Sequence, residues 1–209
     1  MKRKIAAIDG SGQGVCIEGD LPEIGPGEVL VRVQASLISP GTELGRVGLM
    51  RENPDFNKEP RVFGYANAGV VERIGAGVEQ FKPGQGVACM GGGYALHADW
   101  VHVPQNMCVA IPSGLSFDEA ASVHLAATGL HAVRRTNPVY GENGVVVGLG
   151  LVGQFASQFA QLSGCHVQGV DRFALRQDVA REIGIESVVD AKEQDPIEQA
   201  EVFTEGYGM

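Results

Sequence analysis

The chain has 209 residues, 44% of them hydrophobic and 20% charged, with a formal net charge of -9; its pI is near 5.0 and its mean hydropathy is +0.02. That is enough chain for one large domain or two small ones, each with a true core. Such acidity argues against nucleic acid or an anionic membrane as partner, since both need a basic footprint, and no run of about 18 apolar residues offers a membrane span.

The N-terminal stretch MKRKIAAIDG carries basic residues but reaches Asp9 and Gly10 too soon to hold a signal-peptide apolar region. The cysteines Cys16, Cys89, Cys108 and Cys165 form no C-x-x-C pair. Scattered thiols of this kind suit a reducing, cytoplasmic setting rather than a disulfide framework. To about residue 113 the signals are those of strands. EVLVRVQASLI alternates, with Val29, Val31, Val33, Ala35 and Leu37 on one face and Arg32, Gln34 and Ser36 on the other. AGVVERIGAGV and WVHVP read as further strands between Gly and Pro turns, which points to a small β-barrel or sandwich.

After Pro112 the period lengthens. SFDEAA starts a helix, with Ser116 as N-cap and Glu119 as its capping-box partner. From Gly144 the order is strand, helix, strand, helix, strand. GVVV reads as a short buried run, and Val152, Phe155, Ala156, Phe159 and Ala160 recur at helical spacing. HVQGV follows, then a helix marked by Leu175, Val179 and Ile183, a strand at 187–189, and a weak helical pattern from Ile197 to Phe203. Alternation of this kind means a parallel sheet with crossover helices. The expected class is β followed by α/β, with domains at 1–115 and 116–209. Three parallel strands leave an edge to be covered, so the chain is expected to be a fragment of a longer protein.

VVVGLGLVGQ carries Gly148, Gly150 and Gly153 as G-x-G-x-x-G, after a strand and at the start of an amphipathic helix. Asp171 ends the second strand, 21 residues beyond Gly150. This context fits dinucleotide binding. Gly148 makes the tight turn, and Gly150 lets the backbone approach a pyrophosphate at the positive end of the helix that Leu151 and Val152 open. Gly153 lets helix and strand pack closely. Asp171 would accept hydrogen bonds from the adenosine ribose, favouring NAD over NADP. Arg172 and Arg176 offer a competing partner for a 2′-phosphate, so NADP stays open.

Read together, GEVLVRV, PGTEL, PRVFGYANAGVV, IGAGVEQFKPGQGV, TGLHA and GLGLVGQFASQFAQ resemble the medium-chain dehydrogenase/reductase superfamily. Its members are the zinc-type alcohol dehydrogenases and the zinc-free quinone oxidoreductases. The resemblance implies a GroES-like β-barrel, then the first half of a Rossmann domain, with Thr128 of TGLHA beside the cofactor. It also implies three further strands in complete members, in keeping with C-terminal truncation.

The zinc branch takes its ligands at positions that are Pro40, Tyr65 and His124 here, and a catalytic zinc needs three protein ligands. No zinc is expected there, nor in a structural lobe, because ACMGGGYALHADW lacks the four cysteines. Pro40, Arg46 and Gly48 partly match the zinc-free branch, while PGTE keeps the hydroxyl and acid of the zinc branch. Tyr65, Thr42 and His124 are the candidate catalytic donors, meeting the substrate oxygen where a metal would polarise it. Each also has a plainer reading, as pocket wall, turn former and capped helix residue. His97 and His131 read as structural, and Cys165 as core.

The implied function is hydride transfer between NAD(H) and an alcohol or carbonyl compound, without zinc. Reduction of a quinone or enone is the alternative, and a non-catalytic nucleotide-binding protein a second. The expected partner is a small-molecule substrate, with no nucleic acid and no membrane; a homo-oligomer is compatible with the resemblance.

Overall fold

Alternation in the first half of the chain resolves into antiparallel ladders. The computed structural model describes residues 2–208, which divide into two compact units, Met1–His124 and Leu125–Met209. In the first unit come β1 (Lys2–Ile8), β2 (Gly14–Asp20), β3 (Glu28–Ser36), α1 (Pro40–Glu43), α2 (Val47–Glu52) and β4 (Arg61–Val62). They are followed by β5 (Ala66–Ile74), β6 (Gly86–Met90), β7 (Trp100–Pro104), β8 (Cys108–Ala110) and α3 (Phe117–Ala120).

Two antiparallel sheets result, in the orders β2-β1-β4 and β7-β3-β5-β6-β8. β3 is central: Val29, Leu30 and Val31 are all buried, and period-two alternation sets in after them, with Arg32 and Gln34 exposed. Its pairing with β5 slips, running from Val33↔Gly69 to Ala35↔Ala68, so Gln34 is an extra residue. Gly69 is needed there because a side chain would strike the Arg32 carbonyl oxygen. Val29, Val31, Val71, Phe81, Val87, Leu96, Val101 and Val103 form the core between the strands.

The capping box is formed as expected. Ser116 Oγ accepts the Glu119 amide at 3.2 Å, and Glu119 Oε2 accepts the Ser116 amide at 2.8 Å. Ala120 and Ala121 then pack on Ala68 and Ala88. This contact keeps α3 with the first unit and sets the division later than the expected residue 115.

α4 (Val123–Thr136) leads into the second unit, which continues with β9 (Asn143–Val147), α5 (Leu151–Leu162), β10 (His166–Asp171), α6 (Ala174–Glu182), β11 (Ser187–Asp190) and α7 (Pro196–Phe203). The sheet is parallel, in the order β11-β10-β9. β10 is buried along nearly its whole length because it is paired on both sides. β9 was expected to be buried but is only half so, and Val147 is 79% exposed, because β9 lies at a sheet edge.

The helices hold a second surprise. The buried positions of α5 and α6 include Gln154 and Gln177, whereas Leu175 is 76% exposed. The reason is local: buried carbonyls near the loop need donors. Gln154 Nε2 donates to the carbonyls of Leu149 and Arg176, and Gln177 Nε2 donates to that of Asp171. Among the described residues no helix is long and apolar enough to cross a membrane.

Candidate functional site

In the second unit the glycine loop is built as its spacing demands. Gly148 sits at φ +92, a left-handed conformation that a side chain would strain, and its amide donates to the Val170 carbonyl at 2.8 Å. A side chain on Gly153 would strike the Gly148 carbonyl oxygen, so this glycine sets the approach of α5 to the loop. A Cβ on Gly150 would meet nothing within 4 Å, which leaves open space at the N-cap of α5. No side chain caps that helix, and its first-turn amides at Leu151 and Val152 are available to an anion.

Asp171 closes the loop from the next strand. One carboxylate oxygen accepts the Leu149 amide at 2.7 Å and lies 3.4 Å from the Arg176 guanidinium. The other accepts the amides of Arg172 at 2.7 Å and Phe173 at 2.9 Å. The side chain is 4% exposed. Burial pushes its pKa up, but the amides of Phe173, Leu149 and Arg172, with Arg176, outweigh it and hold the carboxyl below its ordinary range. Arg176 also stacks on Phe173, 4.9 Å from the ring centre, and Lys192 approaches the same ring at 5.6 Å. Arg172 is exposed. An open glycine turn, a bare helix N-terminus and an oriented acid fit a dinucleotide.

In the first unit the structure brings Tyr65 and His124 together. Their rings meet edge to face with centres 5.0 Å apart and planes at 82°. Tyr65 follows Gly64 into β5, and His124 lies in the first turn of α4. Both are half-buried. Thr42 lies in α1, where its side chain is exposed and makes no hydrogen bond among the described residues. Thr128 is exposed on α4, and His131 is exposed as well. Among the described residues no three His, Cys, Asp or Glu side chains converge on a point where a metal could sit.

Sequence reasoning missed a third cluster. His97, expected to be structural, is buried and engages a partner with each ring nitrogen. Its Nδ1 lies 2.9 Å from Ser36 Oγ and its Nε2 lies 3.1 Å from Glu43 Oε1. Glu43 Oε2 accepts the Ser39 amide at 2.6 Å, which fixes the acid. Phe63 packs edge-on against the imidazole at 4.8 Å, and the backbone of His97 is anchored as well: its amide donates to the Phe63 carbonyl and its carbonyl accepts from the Ala6 amide. Gly64, at φ +127, permits this approach, since a side chain there would strike the His97 amide and Leu96. Glu43 and Ser36 lie 54 and 61 positions from His97, so no spacing signal could have joined them to it.

A family described as the alcohol dehydrogenase GroES-like domain matches residues 25–113. Sorbitol dehydrogenase from Bacillus subtilis (strain 168) is 28% identical over 222 residues, covering 90% of this chain and 61% of that protein. The chain spans about 60% of the length of the sorbitol and alcohol dehydrogenases it matches. A crystal structure of an Escherichia coli oxidoreductase/dehydrogenase of unknown specificity shares the fold, with a TM-score of 0.87 at 21% identity over 98% of this chain and 67% of that one. Quinone oxidoreductase from Pseudomonas syringae pv. Tomato DC3000 matches with a TM-score of 0.81 at 25% identity, over 99% of this chain and 64% of that one.

Proposed function

Because the chain belongs to the medium-chain dehydrogenase/reductase superfamily, with a GroES-like unit followed by a partial Rossmann-like region, we propose that it serves hydride transfer between NAD(H) and an alcohol or carbonyl compound, without catalytic zinc. The observation that carries this reading is the glycine loop tied to Asp171 through the Leu149 amide. Gly148, Gly150 and the first-turn amides of Leu151 and Val152 would hold the pyrophosphate, with Gly153 setting the helix in place. Asp171 would face the adenosine ribose, with Arg172 and Arg176 at its border, and Thr128 is the remaining candidate contact. NAD(H), when bound, supplies the hydride acceptor or donor.

Tyr65, His124 and Thr42 are proposed to meet the substrate oxygen as it gains or loses charge. The zinc-free reading is supported by the donor set: proline and tyrosine stand at two of the three ligand positions, leaving one nitrogen ligand where a catalytic zinc needs three. Reduction of a quinone or enone is the second reading, favoured by the likeness to the Pseudomonas syringae quinone oxidoreductase and by Pro40, Arg46 and Gly48. The acidic chain supports a small molecule rather than nucleic acid as partner, and its unpaired thiols support a cytoplasmic setting.

The test is threefold: titration with NADH and NADPH, elemental analysis, and an activity panel of alcohols, aldehydes and quinones. NADH should bind more tightly than NADPH, with no zinc held one per chain. NADPH tighter by about tenfold, equivalent to about 1.4 kcal/mol, would overturn the NAD preference. Tightly held zinc would overturn the metal-free reading, and turnover of quinones alone would select the second reaction.

A further inference from the structure

The first unit contains a cavity of about 680 Å³ whose lining includes Ile5, Val33, Ile38 and Phe63, with Ser36 and His97 opening onto it. Ser36 is exposed at the end of β3. Behind it the side chains of His97 and Glu43 are only 5% and 4% exposed. An ionised carboxylate only accepts, so the Glu43 contact requires the proton on His97 Nε2. In the neutral imidazole that leaves the Nδ1 lone pair facing the Ser36 hydroxyl. A hydroxyl, a base oriented towards it and a buried acid fixing the tautomer of that base are the parts of an activated nucleophile, which is recognised by geometry and roles rather than by chain order.

We propose that Ser36, His97 and Glu43 form a nucleophilic centre that accepts acyl groups from short carboxylic esters, an activity beyond the oxidoreductase reading. Ser36 Oγ adds to the ester carbonyl carbon while its proton passes to His97 Nδ1. The ester C–O bond breaks, the alcohol leaves with that proton, and the acyl group stays on Ser36. Water, deprotonated by the same nitrogen, then hydrolyses the acyl-serine and restores the hydroxyl. No electrons are exchanged, and water is the only co-reactant. The apolar walls suit a short aliphatic acyl chain, and Glu43 holds the imidazole against rotation through two fixed contacts, His97 on one oxygen and the Ser39 amide on the other.

The test uses the 209-residue chain and p-nitrophenyl acetate, with no nicotinamide nucleotide present, so its failure leaves the dehydrogenase reading untouched. Cys16 is exposed and borders the same cavity, so the measurement is made in a Cys16→Ser background. We expect a burst of nitrophenolate approaching about one equivalent per chain, as acyl-enzyme accumulation gives. Peptide mapping should find the acetyl group on Ser36. Ser36→Ala, a change at an exposed position, should abolish the burst, and Glu43→Gln should slow it by about tenfold or more. If Glu43→Gln fails to fold, the Ser36→Ala comparison decides. Acetylation confined to lysines, an unchanged burst in Ser36→Ala, or no acetylation at all would overturn the proposal.

Discussion

The Leu149 amide donates to the Asp171 carboxylate at 2.7 Å, across 22 residues, joining the glycine loop to the end of the next strand. Both partners are buried, so the bond is shielded from water and from salt. Asp171→Ala should therefore do more than weaken dinucleotide binding. It leaves the Leu149 amide without its acceptor, at about 1–3 kcal/mol of stability. Urea denaturation should show this loss, and NADH titration should show weaker binding. Lost affinity at unchanged stability would mean that the acid serves the ligand alone.

The same carboxyl gives a pH dependence. Its pKa in the folded protein lies below the unfolded value of about 3.9, so the unfolded chain binds its proton first as pH falls. The stabilisation is complete above that value and is lost as pH falls through the folded pKa. Denaturation measured from about pH 7 down through about pH 3 should show the gap between wild type and Asp171→Asn narrowing at the acid end. A gap that widens there would contradict the assignment.

Gly64 supports a position that no side chain can share. Gly64→Ala would place a methyl group against the His97 amide and Leu96, at a φ of +127. The backbone strain alone should cost about 1–3 kcal/mol, and the clash adds to it. Thermal or chemical denaturation should show a clear loss, whereas Gly92→Ala, where a Cβ meets nothing within 4 Å and φ is not positive, should change little.

Tyr65→Phe should lower kcat for the proposed oxidoreductase reaction by about 10²–10³-fold, the scale of losing one oxyanion donor, with NADH affinity nearly unchanged. The ring contact with His124 survives this change, so packing is kept. A change confined to KM would mean that the hydroxyl binds ground state and transition state alike. A change under about threefold, well short of the tenfold that 1.36 kcal/mol gives, would leave Tyr65 as a pocket wall.

What could be read from the sequence was what the chain decides locally. The capping box at Ser116 and Glu119 spans four residues, and Val29, Val31 and Val33 share a face as the pleat requires, although the extra residue carries Ala35 and Leu37, expected on that same face, to another cluster. The glycine loop was legible for the same reason, with Gly148 turning, Gly150 open and Gly153 in close approach. Longer-range relations were not. Periodicity places Leu175 on the apolar stripe of α6, yet Gln177 is buried because the Asp171 carbonyl, brought near by the fold, needs a donor. Ser36 lies in β3, Glu43 in α1 and His97 in the connection between β6 and β7, and only the folded first unit brings them within hydrogen-bonding distance.

The extra residue at Gln34 has a consequence for insertions and deletions. Paired residues on neighbouring strands share a face, so the extra residue lets Val33 face the main core while Ala35 packs with Ala68 and Ala88 on the other side. Removing this one amino acid would regularise the ladder with β5 and leave Ala35 opposite Ala68 and Ser36 opposite Asn67, so the hydroxyl would keep its side of the sheet. A second deletion in the same strand would find no spare residue to absorb it, and would turn Ser36 to the other face and part it from His97. The strand can thus lose one residue at no cost to the hydroxyl's direction, but not two.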